Sequence, residues 1–241
     1  MFGAALSWDV LAAAGAGAAV SLLLAIVHLR VLVPRLPEPD PDEVGAEVIA
    51  AKPRYCDLVT PARTVVLSVL AMAAGAATSQ VPAWGRGIWW VWAGSVLTLV
   101  AVDQATTFLP VRLWRWCLAE GLIAAAVTAA LVSTRPADLL ACLVLGAVTA
   151  GLFWLVWRLG AGLGFGDVRL AAGTGAVGAV LGLEGWAAAL MATALAGVLI
   201  GVGTTLVRRF RPSPWGTVFG YGPALWLGPW GALAVSGAPW Q

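Results

Sequence analysis

Apolar runs of about twenty residues follow one another along the whole chain, broken by short segments carrying proline, glycine or charge. Eight can be drawn, at 9–32, 64–82, 88–108, 113–133, 138–159, 168–183, 186–206 and 216–238. At about 1.5 Å of rise per residue, each is of the order needed to cross about 30 Å of hydrocarbon as an α-helix. Pro82 and Gly85-Arg86-Gly87 separate the second run from the third. Pro110 closes the third, because it lacks an N–H and disfavours helix in the residue before it. Stretches rich in alanine and glycine at 11–19, 171–182 and 187–203 favour close contact between helices. The pattern predicts an all-α, polytopic integral membrane protein with about eight transmembrane helices in one membrane-embedded domain, 1–241. The one sizeable polar segment, 34–62, is too short and too proline-rich for a core of its own. It reads as a loop, with one helical turn expected around 43–51.

Composition agrees with this picture. Of 241 residues, 61% are hydrophobic and 11% charged, against about 25% charged in a soluble domain. Where the charges lie matters more than their sum of +2. With the N-terminus outside, the loops after the odd-numbered runs and their helix ends hold Arg30, Arg35, Lys52, Arg54, Arg63, Arg112, Arg115, Arg158, Arg169, Arg208, Arg209 and Arg211. The other side holds Arg86 and Arg135. That bias places both termini outside and the 34–62 loop in the cytoplasm. The basic run at 208–211 would then lie against anionic headgroups.

Tryptophans are expected as interfacial anchors, Trp84, Trp89, Trp90 and Trp186 near the outer boundary and Trp114, Trp116, Trp157 and Trp215 near the inner one. No basic stretch precedes the first run and no cleavage site follows it, so a retained helix is expected there. Cys56, Cys117 and Cys142 share no close spacing, which suggests neither a zinc site nor a redox pair. Membrane lipid is the expected surrounding; no metal, other cofactor or nucleic acid is expected.

An ionisable side chain within a membrane span costs several kcal/mol and calls for a reason. Asp103, Glu120, Asp167 and Arg169 are such residues. Asp103 stands five residues before the end of its run at Phe108, about 7 Å below the cytoplasmic end if the helix continues that far. Asp167 opens a short run on the same side, so the two depths match. Gly160, Gly162, Gly164 and Gly166 allow a tight turn before it, and Asp167 then falls at a helix N-terminus. Taken alone, an aspartate after a glycine loop is an ordinary cap.

Two carboxylates sharing a site can do more. One holds a proton while the other takes a proton from water, and the protonated one donates to a scissile carbonyl. The helix N-terminus favours Asp167 as the ionised partner. Glu120, a turn and a half beyond Arg115, reads as a partly buried pair or a snorkelling carboxylate, and His28 is assigned no role. A non-enzymatic membrane protein is the competing class, either a small transporter, since paired acids on one side also fit a cation path, or a relative of such an enzyme that has lost activity. A transporter is expected to carry broken helices in both halves, and only 160–166 is glycine-interrupted.

The sequence Gly-Phe-Gly-Asp-Val-Arg-Leu-Ala-Ala-Gly-Thr-Gly-Ala (164–176) resembles the signature of the type IV prepilin peptidases, in which GxGD precedes a hydrophobic residue, usually a lysine, and a leucine. Asp103 with Leu109-Pro110 and Leu113 resembles the other motif of that family. Phe219-Gly220-Tyr221-Gly222-Pro223-Ala224-Leu225 resembles its C-terminal element, and Val27–Arg30 with Arg35-Leu36-Pro37 is a fainter echo of its first helix.

The resemblance implies a membrane aspartyl protease of the GxGD type that removes the basic leader of type IV pilin-like precursors. It would work at the cytoplasmic face of a bacterial-type inner membrane. Asp103 and Asp167 would be the catalytic pair, in a cleft between the third, fifth and sixth spans. Gly164, Gly166, Arg169, Pro110, Gly222 and Pro223 would be supporting motif residues, with no cofactor. Members that also N-methylate the product carry two CxxC pairs in a larger cytoplasmic domain. This chain has neither, so cleavage without methylation is expected. Arg169 stands where lysine is usual, and Val111 replaces a polar residue often found after Leu-Pro.

Overall fold

A computed structural model of the chain describes residues 7–39, 52–132, 134–160, 162–210 and 220–236. Each of the eight apolar runs forms a helix. They are α1 (Trp8–Arg35), α2 (Pro61–Gln80), α3 (Ala83–Thr106), α4 (Val111–Leu131), α5 (Pro136–Arg158), α6 (Phe165–Ala179), α7 (Gly182–Phe210) and α8 (Gly222–Ser236). Two of them contain π-helical turns, His28–Leu32 in α1 and Trp92–Val96 in α3. Six helices, α1 to α5 and α7, are long and apolar enough to cross a membrane. The chain is a multi-pass membrane protein.

The two remaining helices are short within the described residues. α6 and α8 have 15 residues each, about 22 Å at 1.5 Å per residue. α6 starts at Phe165, three residues before the run drawn at 168–183, and ends at Ala179; Gly182, at φ +81°, turns the chain into α7. Residues 216–219 of the last run lie outside the described residues. Both short helices are interior: α6 packs against α5, α7 and α8, and α8 against α7, α6 and α3.

α3 is the central helix. In its most apolar window 72% of residues are buried, against 28% or less for the other five long helices. The outer helices turn Leu122, Ile123, Leu143 and Leu199 outward, as they can where the solvent is lipid and apolar surface carries no penalty. The interior is built on Trp89, Leu99, Leu113, Leu170 and Leu225, all fully buried. Trp89 is therefore a core residue and not the outer anchor expected of it; its ring meets Trp230 edge-on at 4.8 Å.

The polar segment 34–62 is more than a loop. Its second half forms a 3-10 turn, Tyr55–Leu58, whose Tyr55 and Leu58 pack into the core with Val33, Leu36, Val102 and Leu113. Glu38 ties the two ends together: it accepts a hydrogen bond from Lys52 Nζ and another from the Tyr55 N–H at 2.9 Å. Lys52 Nζ also lies 4.2 Å from the Tyr55 ring centroid. The turn expected at 43–51 lies outside the described residues. Burial alone would push the Glu38 carboxyl up, but the Lys52 and Tyr55 bonds outweigh it and leave it below the usual carboxylate range. The clamp's contribution is thus full above the ordinary value of 4.5 and is lost as pH falls through the lowered one. Glu38→Gln should narrow its melting-temperature gap to the parent as the pH drops through that range, since Lys52 is buried while Glu38 is exposed.

α1 and α2 meet backbone to backbone. A Cβ on Gly17 would sit 2.2 Å from the Gly75 carbonyl oxygen, and one on Gly75 would sit 2.3 Å from that of Gly17. Such close approach is how helices associate in lipid, where no hydrophobic force drives them together. Gly75→Ala should therefore destabilise the detergent-solubilised protein by about 1–3 kcal/mol through overpacking. Gly15→Ala, on α1 near Gly17 but with open space around it, should not lower the melting temperature.

Candidate active site

Asp103 is placed by the way α3 ends. The helix stops at Thr106, one turn after the aspartate, and not at Phe108 as the apolar run suggested. Thr107 takes a left-handed conformation, φ +58°, with its N–H on the Asp103 carbonyl oxygen at 2.7 Å. A β-branched residue with positive φ is strained by about 1–3 kcal/mol. Thr106 offsets part of this, since its Oγ1 accepts the Phe108 N–H at 3.2 Å. The chain then runs through Leu109 to Pro110, the N-cap residue of α4.

Asp167 is placed by the start of α6. Gly160 and Gly162 adopt φ of +76° and +78°, which only glycine takes without strain. Gly164 caps the helix with an extended backbone, and Asp167 falls in the first turn. Its Oδ2 reaches back and accepts the Gly164 N–H at 2.9 Å. An N–H at a helix start has no partner within the helix, so the acid satisfies it and benefits from the helix dipole. Gly166 serves differently. A Cβ there would sit 2.7 Å from Leu109 Cβ, so the glycine turn lies directly on the Leu-Pro loop.

α8 closes over Asp103 from its own N-terminus. The Gly222 N–H donates to Asp103 Oδ2 at 3.1 Å. A Cβ on Gly220 or Gly222 would lie 2.5 or 2.6 Å from that same oxygen. Pro223, in the first turn of α8, costs nothing, because its N–H would be unused there. Three further contacts fix α8. Trp92 Nε1 donates to the Trp226 carbonyl at 3.1 Å, and Trp226 Nε1 donates to the Trp92 carbonyl at 2.8 Å. Thr174 Oγ1, on α6, donates to the Leu225 carbonyl at 3.2 Å.

These elements enclose a cavity of about 290 Å³ lined by Asp103, Thr107, Phe108, Leu109, Gly164, Phe165, Gly166 and Asp167. Two acids far apart in sequence thus share one wall-to-wall space, and both are nearly buried, 4% and 9% exposed. Of the sequence-derived residues, Gly164 and Gly166 line the cavity. Pro110, Gly222 and Pro223 support it from behind. Arg169 does not reach into it: its guanidinium lies over the Phe165 ring at 4.9 Å, and Phe165 meets Trp157 edge-on at 5.1 Å. Helix α5, expected in the cleft, contributes the glycine loop that follows it; the third support is α8. A larger groove of about 360 Å³ among α3, α4, α5 and α6 is walled almost wholly by apolar side chains and offers no acid or base. Among the described residues, no three His, Cys, Asp or Glu gather as a metal-holding group.

Two features escaped the sequence reading. Gly220 is as close to Asp103 as Gly222; its place in the glycine-rich element was the available signal. Glu120 pairs with His28, not with a residue of its own helix: His28 Nε2 donates to Glu120 Oε1 at 2.8 Å, and Ser95 Oγ donates to Glu120 Oε2.

The family model described as the type IV leader peptidase family matches residues 90–202. That stretch holds both aspartates, the Leu-Pro loop and the glycine turn. Over that stretch the chain is similar to the type IV leader peptidase family. Comparison with curated proteins and with solved structures gives no significant match. The similarity supports a peptidase. The matched stretch does not include Gly220–Pro223, whose place beside Asp103 rests on the contacts described above.

Gly220→Ala and Gly222→Ala should each displace the Asp103 carboxylate and lower the peptidase rate about 100-fold, the order expected for a misplacement near 1 Å. Gly203→Ala, in open space on α7, should leave it unchanged. Arg169→Lys should keep most of the activity through a retained cation over Phe165, and Arg169→Ala should lose much of it. All can be read with one cleavage assay in proteoliposomes.

Proposed function

We propose that this protein is an aspartyl endopeptidase that cleaves the basic leader from type IV prepilin-like precursors, with Asp103 and Asp167 as its catalytic pair. The observation that supports it is the shared cavity: two carboxylates from α3 and α6 line one space and are each oriented by a backbone N–H. Each uses Oδ2 for that anchor. The Oδ1 atoms are the ones we assign to a water held between them. The ionised aspartate takes a proton from that water as it attacks the scissile carbonyl, and the protonated one donates to the carbonyl oxygen. The tetrahedral intermediate then collapses, and the amine leaves with a proton returned from the pair. No side-chain nucleophile is needed. Asp167, in the first turn of α6, is the base in this scheme, since the helix start favours its charged form.

The bias of the basic residues supports an orientation with this end of the bundle at the cytoplasmic face, in a bacterial-type inner membrane on this reading, which suits a substrate whose leader is itself basic. Lipid is the surrounding partner. The whole chain acts as one peptidase domain, 34–62 being a cytoplasmic segment within it. Product N-methylation is not part of the proposed activity.

Incubation of the reconstituted protein with a leader-bearing precursor tests this. Asp103→Asn and Asp167→Asn should each abolish processing, to at least about 1,000-fold below the parent, the acid–base part of the acceleration. Processing by either variant at the parent rate would remove the aspartyl mechanism. With S-adenosylmethionine present, the mature product should carry no added methyl group by mass spectrometry.

A further inference from the structure

The buried polar cluster His28–Glu120–Ser95 lies away from the catalytic cavity and is unexplained by it. Its members come from three helices, α1, α4 and α3. His28 and Ser95 are fully buried, and both sit in the π-helical turns of their helices. Turns of that kind are rare and frequent at functional sites. An acid and an imidazole inside apolar helices are costly unless they bond to each other.

α4 is the helix that depends on this cluster. Its buried residues are Leu113 and Cys117, and with Glu120 they form one stripe at helical spacing. Its packing is against α3. At the far end Gly87 of α3 lets it approach closely, a Cβ there lying 2.8 Å from Thr128 Cγ2. Leu118, Leu122 and Ile123 face outward. Lipid tails would pack on such a helix as readily as α3 does, so apolar contact alone leaves its axial position and rotation weakly specified. Two hydrogen bonds to one carboxylate specify both.

The near end of α4 begins directly after Leu109-Pro110, and Leu109 rests on Gly166 beside Asp167. Any slip of α4 on α3 would carry Leu109 and Phe108 with it. We propose that His28, Ser95 and Glu120 are positioning residues: a membrane-buried lock that sets α4 and, through it, the Thr107–Leu109 wall of the cavity. The proposal rests on the reading of that cavity as the catalytic one.

The wall can be read without catalysis. In a Cys56→Ser background, with Cys117 and Cys142 buried, Phe108→Cys reports the wall through its rate of reaction with a water-soluble maleimide. Adding Glu120→Ala should raise that rate several-fold. Adding Glu120→Gln, whose amide can still accept from Ser95 and meet His28, should keep it within about twofold. With Phe108 intact, Glu120→Ala should lower kcat for precursor cleavage about tenfold, with little change in KM, and Glu120→Gln should restore most of it. If Glu120→Ala does not accumulate in the membrane, Ser95→Ala removes one bond of the lock and should show the same changes to a smaller degree. Parent-like labelling and kcat in Glu120→Ala, or equal impairment in Glu120→Gln and Glu120→Ala, would overturn the proposal. Because labelling needs no turnover, failure of the aspartyl mechanism in the Asp→Asn variants would leave this result readable.

Discussion

The hydrogen bond from the Gly222 N–H to Asp103 Oδ2 is the constraint on which the rest of the structure depends. An acid in the last turn of the most buried helix, among apolar neighbours, needs a donor. The first N–H groups of a helix need acceptors, because nothing within the helix supplies them. α8 brings one need to the other. The contact requires two residues without side chains, Gly220 and Gly222, because a Cβ on either would overlap the carboxylate. It also requires α8 to be held tightly on α3 and α6. The reciprocal Trp92–Trp226 bonds and the Thr174 bond do that. The π-helical turn of α3 begins at Trp92, so the irregularity and the anchor coincide.

Asp167 repeats the solution within its own helix, accepting the Gly164 N–H at the start of α6. Each acid is thus pinned through one oxygen by backbone, which is more rigid than a side-chain donor. What separates the two sites is the Leu-Pro loop, and its sharp entry through left-handed Thr107 stores strain at the cavity wall. Strain of this kind persists only where the surroundings over-determine it. Here Leu109 on Gly166 and the seating of α4 are what surround it.

Much of this was legible in the residues, for identifiable reasons. Long apolar runs announce membrane helices because few other structures satisfy the backbone in lipid, and all eight runs became helices. Asp103 and Asp167 stood out because acids in such runs are costly, and their common side followed from the arginines. Other features were not legible. Trp89 looked like an interfacial ring because its inward direction leaves no mark when both lipid and core are apolar. The end of α3 at Thr106 was hidden because Thr107 and Phe108 continue the run without a glycine or proline. His28 and Glu120 are 92 residues apart, and no local pattern couples them. Gly220 was read as part of a motif, but its contact with a carboxylate from α3 is a fact of packing.

The central claim is that Asp103 and Asp167 face each other across one small space at one end of the bundle. The most direct measurement is crosslinking of Asp103→Cys with Asp167→Cys in the membrane, in a Cys56→Ser background, by dibromobimane, which becomes fluorescent when both of its arms have reacted. The account predicts fluorescence in the double variant and none in either single one. A double variant that stays dark, while each single cysteine reacts with monobromobimane, would contradict it.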